Sequence, residues 1–163
     1  MSVTLVLTAF SVIACALVAG VFLTFSDFVM RSLDHTARSG GIEAMQVINR
    51  EVFRTLFMVL LIGMAFVSPV LMALAMWQLS GAAQMLVLSG GALYLVLVFG
   101  VTVAGNVPLN TRLEALSPTS PDAGPFWSTT FYPRWTRFNH IRTVGAAAAS
   151  LCFLLACLLP VHA

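Results

Sequence analysis

Four long apolar runs punctuate the chain: residues 3–25, 56–77, 85–105 and 141–160. The first three carry no charged residue, and the fourth carries only Arg142, close to its edge. A helix rises about 1.5 Å per residue, so roughly 20 apolar residues cross the hydrocarbon core of a bilayer. The pattern predicts an all-α chain: a four-transmembrane-helix bundle with short helical extensions at one end, as a single membrane domain over residues 1–163. A cleaved leader is the rival reading of the first run. That run has no Lys or Arg before it and is too long for the apolar part of a leader, so it is read as a true span.

The polar segments between the runs have their own patterns. Apolar residues at 42, 45, 48, 52 and 56 repeat with helical spacing and predict a helical lead-in to span two, after a break at Ser39-Gly40-Gly41. A second short helix is expected over residues 107–116, after a break at Gly105-Asn106. Residues 117–125, rich in Pro, Ser and Gly, read as a loop. Tyr132-Pro133 suits a helix start, so the last helix is expected from about residue 133 to 159. Pro69 predicts a kink in span two that frees the Ala65 carbonyl. The run Gly145-Ala146-Ala147-Ala148-Ala149 gives span four a slim surface for close helix packing.

Composition agrees with a membrane protein. Of 163 residues, 60% are hydrophobic and 9% charged, against about half and about a quarter in soluble domains. All eight basic residues are Arg, and they are neither numerous nor clustered enough for a nucleic-acid partner. Arg31, Arg38, Arg50 and Arg54 lie between spans one and two. Arg112, Arg134, Arg137 and Arg142 lie between spans three and four or at the edge of four. The positive-inside rule therefore predicts both Arg-bearing connections in the cytoplasm and both termini outside, in a bacterial inner membrane.

Little of the remaining chemistry is distinctive. Cys15, Cys152 and Cys157 lie inside apolar runs, without the CxxC spacing of a metal or redox site. The eight Met residues are scattered through the chain and read as packing rather than copper ligands. Neither a metal nor an organic cofactor is expected.

The polar residues at the span ends are more informative. Trp135, Asn139 and Arg142, spaced i, i+4 and i+7, fall within roughly 60° on one helix face. Asn and Arg at a membrane edge are costly if they face lipid, so this face should look into the bundle or a wet cavity. Asn106 and Asn110 are spaced i, i+4 at the end of span three, and Asp27 and Arg31 likewise at the end of span one. Gln46, Asn49 and Arg50 sit on the lead-in to span two. If the bundle closes, these groups meet in one polar pocket above an apolar interior. Taken singly each has a plain structural role: Asn106 as a cap, Asp27 with Arg31 as a surface ion pair, Trp127, Tyr132 and Trp135 as an aromatic belt. His140 lies about 100° from Asn139 around the helix, either reaching the pocket as a proton acceptor or capping at the interface. His35 lies in a loop-like stretch, unsuited to a haem pair with His140, and His162 lies at the far terminus.

Several segments carry a family resemblance: Gly20-Val21-Phe22 through Phe25-Ser26-Asp27-Phe28, Ala44-Met45-Gln46-Val47-Ile48-Asn49, Asn106-Val107-Pro108-Leu109-Asn110, and Trp127 with residues 135–143, WTRFNHIRT. With these the chain resembles, over nearly its whole length, the anthrone oxygenase-like family of small four-helix membrane proteins. The resemblance implies oxidation of anthrones to anthraquinones by O₂ without a known cofactor. The chemistry needs a base, donors for an enolate oxygen, and a dry slot for a flat ring system. In that scheme His140 or Asp27 is the base, Asn106, Asn110, Asn139 and Arg142 donate to the oxyanion, and Trp127 and Trp135 stack on the ring. Asn49 joins the substrate-binding set. The expected partners are membrane lipid and a small lipophilic substrate. The alternatives are a non-catalytic lipophile or quinone binder, or a subunit of a membrane complex. Coupled ion transport is the weakest reading, because no carboxylate or Lys lies within the spans.

Overall fold

The computed structural model describes residues 2–159, so His162 and the last residue of the expected fourth span lie outside the described residues. The described chain is helical, without strands: α1 (Val3–His35), α2 (Arg38–Glu51), α3 (Leu56–Gln78), α4 (Gly81–Glu114) and α5 (Ala123–Leu158). All but α2 are long and apolar enough to cross a membrane. The four-helix membrane bundle expected from the apolar runs is therefore the observed fold.

Local chemistry sets several helix ends. Ser2 begins α1, its hydroxyl accepting from the Leu5 amide at 3.2 Å. The Thr55 hydroxyl accepts from the Met58 amide at the start of α3. Such caps satisfy amides that the helix leaves free. The α3–α4 connection is a tight turn, with Gly81 at φ +60, a conformation that L side chains rarely adopt. Across it, the Gln84 side chain donates to the Ala75 carbonyl at 3.2 Å.

Three helix boundaries differ from the sequence-based expectation. α1 breaks at Thr36-Ala37, and Ser39-Gly40-Gly41 lie inside α2. Gly41 is needed there for closeness: a Cβ would strike the Leu33 carbonyl and the Thr36 hydroxyl. α4 does not break at Gly105-Asn106, and α5 starts well before Pro133. In both, a π segment precedes the proline: Thr102–Asn106 ahead of Pro108, and Trp127–Phe131 ahead of Pro133. A widened turn accommodates a ring that lacks an N–H and would clash in a regular helix. Pro69 lies within α3, which runs continuously through it.

The bundle packs around α5. Its most extensive interface is with α1, and it also packs along α4. At Gly145 a Cβ would come within 2.6 Å of Leu97 on α4, so the small-residue run on α5 permits that approach. Gly145, Ala146 and Ala149 are buried, while Ala147 faces outward. One apolar core, including Cys15, Phe22, Leu71, Tyr94 and Phe153, fills the membrane part of the bundle. A second, including Met30, Ile42, Leu113, Trp127 and Phe131, lies at the arginine-bearing end.

Candidate functional site: a buried arginine in an apolar cavity

A cavity of about 800 Å³ opens between the two cores. All five helices reach its wall. α1 supplies Phe22 and Phe25, α2 supplies Met45 and Asn49, and α3 supplies Phe57 and Leu61. Thr102, Asn106 and Asn110 come from α4; Trp135, Asn139 and Arg142 come from α5. π segments deliver Phe25, Thr102 and Asn106. Such segments shift the side-chain phase of a helix and are frequent at functional sites.

Arg142 is the centre of the polar wall. It is 5% exposed, yet no carboxylate pairs with it; the three ion pairs among the described residues are Arg31–Asp27, Arg38–Asp34 and Arg50–Glu114. Its Nη2 donates to Asn139 Oδ1 at 2.7 Å, its Nη1 to Thr102 Oγ1 at 3.4 Å, and its Nε has no partner. The guanidinium lies over two aromatic rings, 4.2 Å from the Phe22 centroid and 5.3 Å from that of Trp135. Aromatic faces attract a desolvated cation but do not neutralise it. A buried charge without a counter-ion is expensive, and an anionic oxygen brought by a ligand would offset that cost.

Asn139, fully buried, fixes the guanidinium. Its Nδ2 donates to the Phe22 carbonyl and to Ser26 Oγ, each at 2.6 Å, tying α5 to α1. This leaves Oδ1 to face Arg142. Asn106 Nδ2 donates to the Trp135 carbonyl at 3.2 Å, while its buried Oδ1 has no partner. Trp135 Nε1 donates to Asn110 Oδ1 at 2.9 Å. Asn49 Nδ2 is also buried without a partner. The residues of the cavity wall thus hold three buried polar atoms without partners: the donors Arg142 Nε and Asn49 Nδ2 and the acceptor Asn106 Oδ1. Buried polar atoms of this kind ordinarily have partners.

The structure brings Asn49, Asn106, Asn110, Trp135, Asn139 and Arg142 together on the cavity wall. It does not bring Asp27, His140 or Trp127 there. Asp27 is exposed, its carboxylate 3.8 Å from Arg31. His140 is exposed on the outer side of α5, as its angular offset from Asn139 dictates. Trp127 is fully buried in the second core, where it stacks on Phe131 and donates to Asp34 Oδ1 at 2.8 Å. The sequence reading did not single out Phe22 or Phe25, whose place under Arg142 and against Trp135 is a tertiary outcome.

The family model described as Anthrone oxygenase matches residues 50–152, more than half of the chain. The chain belongs to the anthrone oxygenase family. The match takes in all of α3 and α4 and the whole polar face of α5, so five of the six clustered site residues fall inside it. Asn49 and α1, which supplies Phe22 and Ser26, lie before it. No curated protein and no solved structure matches the chain.

Proposed function

We propose that this member of the anthrone oxygenase family is a cofactor-independent oxygenase acting on anthrone-like or related flat phenolic lipophiles at the cytoplasmic side of a bacterial inner membrane. The observation that carries the reading is Arg142: a buried cation without a carboxylate, on the wall of an apolar cavity large enough for a three-ring substrate.

The chemistry follows from where charge develops. The central CH₂ of the substrate loses one proton to water at the cavity mouth, leaving an enolate. Its oxygen sits against the Arg142 guanidinium, and the cation favours this anionic form. The electron-rich carbon reacts with O₂, forming a C–O bond and a peroxide anion. Loss of the remaining C–H proton and cleavage of the O–O bond give the new carbonyl and hydroxide, which takes up the first proton. The balance is CH₂ plus O₂ to C=O plus H₂O. Asn106 Oδ1 accepts from a ring hydroxyl and Asn49 Nδ2 donates to a second oxygen. Phe25 and Trp135, whose rings meet at 5.7 Å, form one aromatic wall against the ring system.

One observation favours a second reading, a lipophile-binding protein without turnover. Asp27 and His140 lie off the cavity wall, and the only carboxylate on that wall, Glu114, is held by Arg50 at 2.6 Å. Oxygen uptake by the purified protein with 1,8-dihydroxyanthrone decides between the two. Uptake above the uncatalysed rate, lost in Arg142→Met, is the expected result. Uptake no faster than in a heat-treated control, with the anthraquinone still bound, overturns oxygenation and leaves the binder.

A further inference from the structure

The cavity's arginine-bearing end is tied across by polar contacts, and the exposed Arg50 and Glu114 on its wall give that end access to water. α2 lies across that end, with Gln46 Nε2 donating to the Leu113 and Leu116 carbonyls at 2.8 and 2.9 Å. Beside it, the Arg50–Glu114 pair joins α2 to α4 at 2.6 Å. Three lateral seams are also tied. Phe22 and Phe57 meet edge-to-face at 5.4 Å between α1 and α3, and Asn139 holds α5 to α1. Between α4 and α5, Asn106 and Asn110 bond to Trp135.

The seam between α3 and the second half of α4 is different. Tyr94 Oη donates to the Leu61 carbonyl at 2.9 Å, and α3 packs on α4 along Gly81–Leu93 and Tyr94–Gly100. Beyond that level no hydrogen bond among the described residues joins α3 to residues 102–114. Instead, four apolar side chains line the cavity while facing outward: Phe53, Ile62, Val103 and Val107, exposed by 70, 43, 52 and 45%. Ile62 and Val103 lie within the apolar stretches of their helices, at the depth of the acyl chains.

We infer that the cavity is loaded sideways from the bilayer, through the gap between Ile62 on α3 and Val103 on α4, by a polycyclic phenol dissolved in the lipid. The inference rests on the proposed function for the class of ligand. The ligand leaves lipid for an apolar slot and crosses no aqueous step. Its oxygen functions meet Asn106 and Arg142 only once it is inside.

The test uses the full chain in lipid nanodiscs and 1,8-dihydroxyanthraquinone, read by stopped-flow quenching of tryptophan fluorescence. The double variant Ile62→Phe, Val103→Phe narrows the gap. The control pair Val59→Phe, Val96→Phe adds the same bulk at lipid-facing positions off the cavity wall. Lateral loading predicts that the first pair slows association and dissociation by the same factor, about fivefold or more, with Kd unchanged and the control at parent rates. Unchanged rates in the first pair overturn it, and so does an absence of quenching in the parent. Slowed loading without oxygen uptake would leave the opening standing and remove the oxygenase.

Discussion

Asn139 Oδ1 accepts from Arg142 Nη2 at 2.7 Å, three residues along the same helix, so the charged group of the cavity is aimed by its own helix rather than by a partner carboxylate. The other end of the same amide donates to the Phe22 carbonyl and Ser26 of α1. One side chain thus links the α1–α5 interface to the orientation of the cation.

Replacing it should therefore damage both. Asn139→Ala removes both of its hydrogen bonds to α1, leaving the 3.5 Å Ser26–Thr143 hydroxyl contact between the two helices, and frees Arg142 to rotate. Each hydrogen bond lost costs about 1 kcal/mol. The expected outcome is a lower Tm in detergent together with lost ligand affinity. Asn106→Ala removes a single 3.2 Å bond, so its Tm should fall less while its affinity for hydroxylated ligands still drops. Equal Tm losses in the two variants would contradict this division.

Arg142→Met separates binding from stability in the opposite sense. Removing a buried charge that has no counter-ion and filling its volume with an apolar side chain is often neutral or stabilising. A charge-assisted hydrogen bond to a ligand anion is worth about 1.5–3 kcal/mol. Tm should hold or rise, while affinity for 1,8-dihydroxyanthraquinone should fall by about ten- to a hundredfold, since about 1.4 kcal/mol is one factor of ten. Calorimetric melting and fluorescence titration on the same samples check both.

These variants concern residues that the sequence already exposed. Trp135, Asn139 and Arg142 share a face because helical periodicity requires it, and polar groups at a membrane edge have few places to point except inward. The spans were legible for the same reason, since bilayer thickness constrains their length. The π segments were not legible. Before Pro108 and Pro133, tertiary packing kept the chain helical where local signals suggested an end or a start. Phe22 entered the site through its position beneath α5, which no local spacing encodes.

His140 and Asp27 supply a direct contrast with the wall residues. Both are exposed and outside the cavity, and the chemistry proposed above delivers its proton to water. His140→Ala and Asp27→Asn should therefore leave kcat for 1,8-dihydroxyanthrone within about twofold of the parent, well under the tenfold that 1.36 kcal/mol of barrier represents. A loss of a hundredfold or more in either variant would show that the side chain reaches the substrate in the working enzyme.

The two tryptophans of the arginine-bearing end should part in the same way. Trp127 is buried among Phe131 and Tyr132 and donates to Asp34, which also accepts from Arg38 at 2.6 Å. Trp127→Phe keeps the stacking and loses one hydrogen bond, a cost of about 1 kcal/mol. It should lower Tm slightly and leave ligand affinity as it was. Trp135 forms part of the cavity wall, lies 5.3 Å from the Arg142 guanidinium and donates to Asn110. Trp135→Phe keeps an aromatic face for the cation but frees Asn110 Oδ1, so affinity should fall by several-fold with a Tm change similar to that of Trp127→Phe. Titration of both variants with 1,8-dihydroxyanthraquinone, alongside their melting curves, reads the difference. An affinity loss in Trp127→Phe as large as in Trp135→Phe would mean that the ligand reaches past the cavity into the second core.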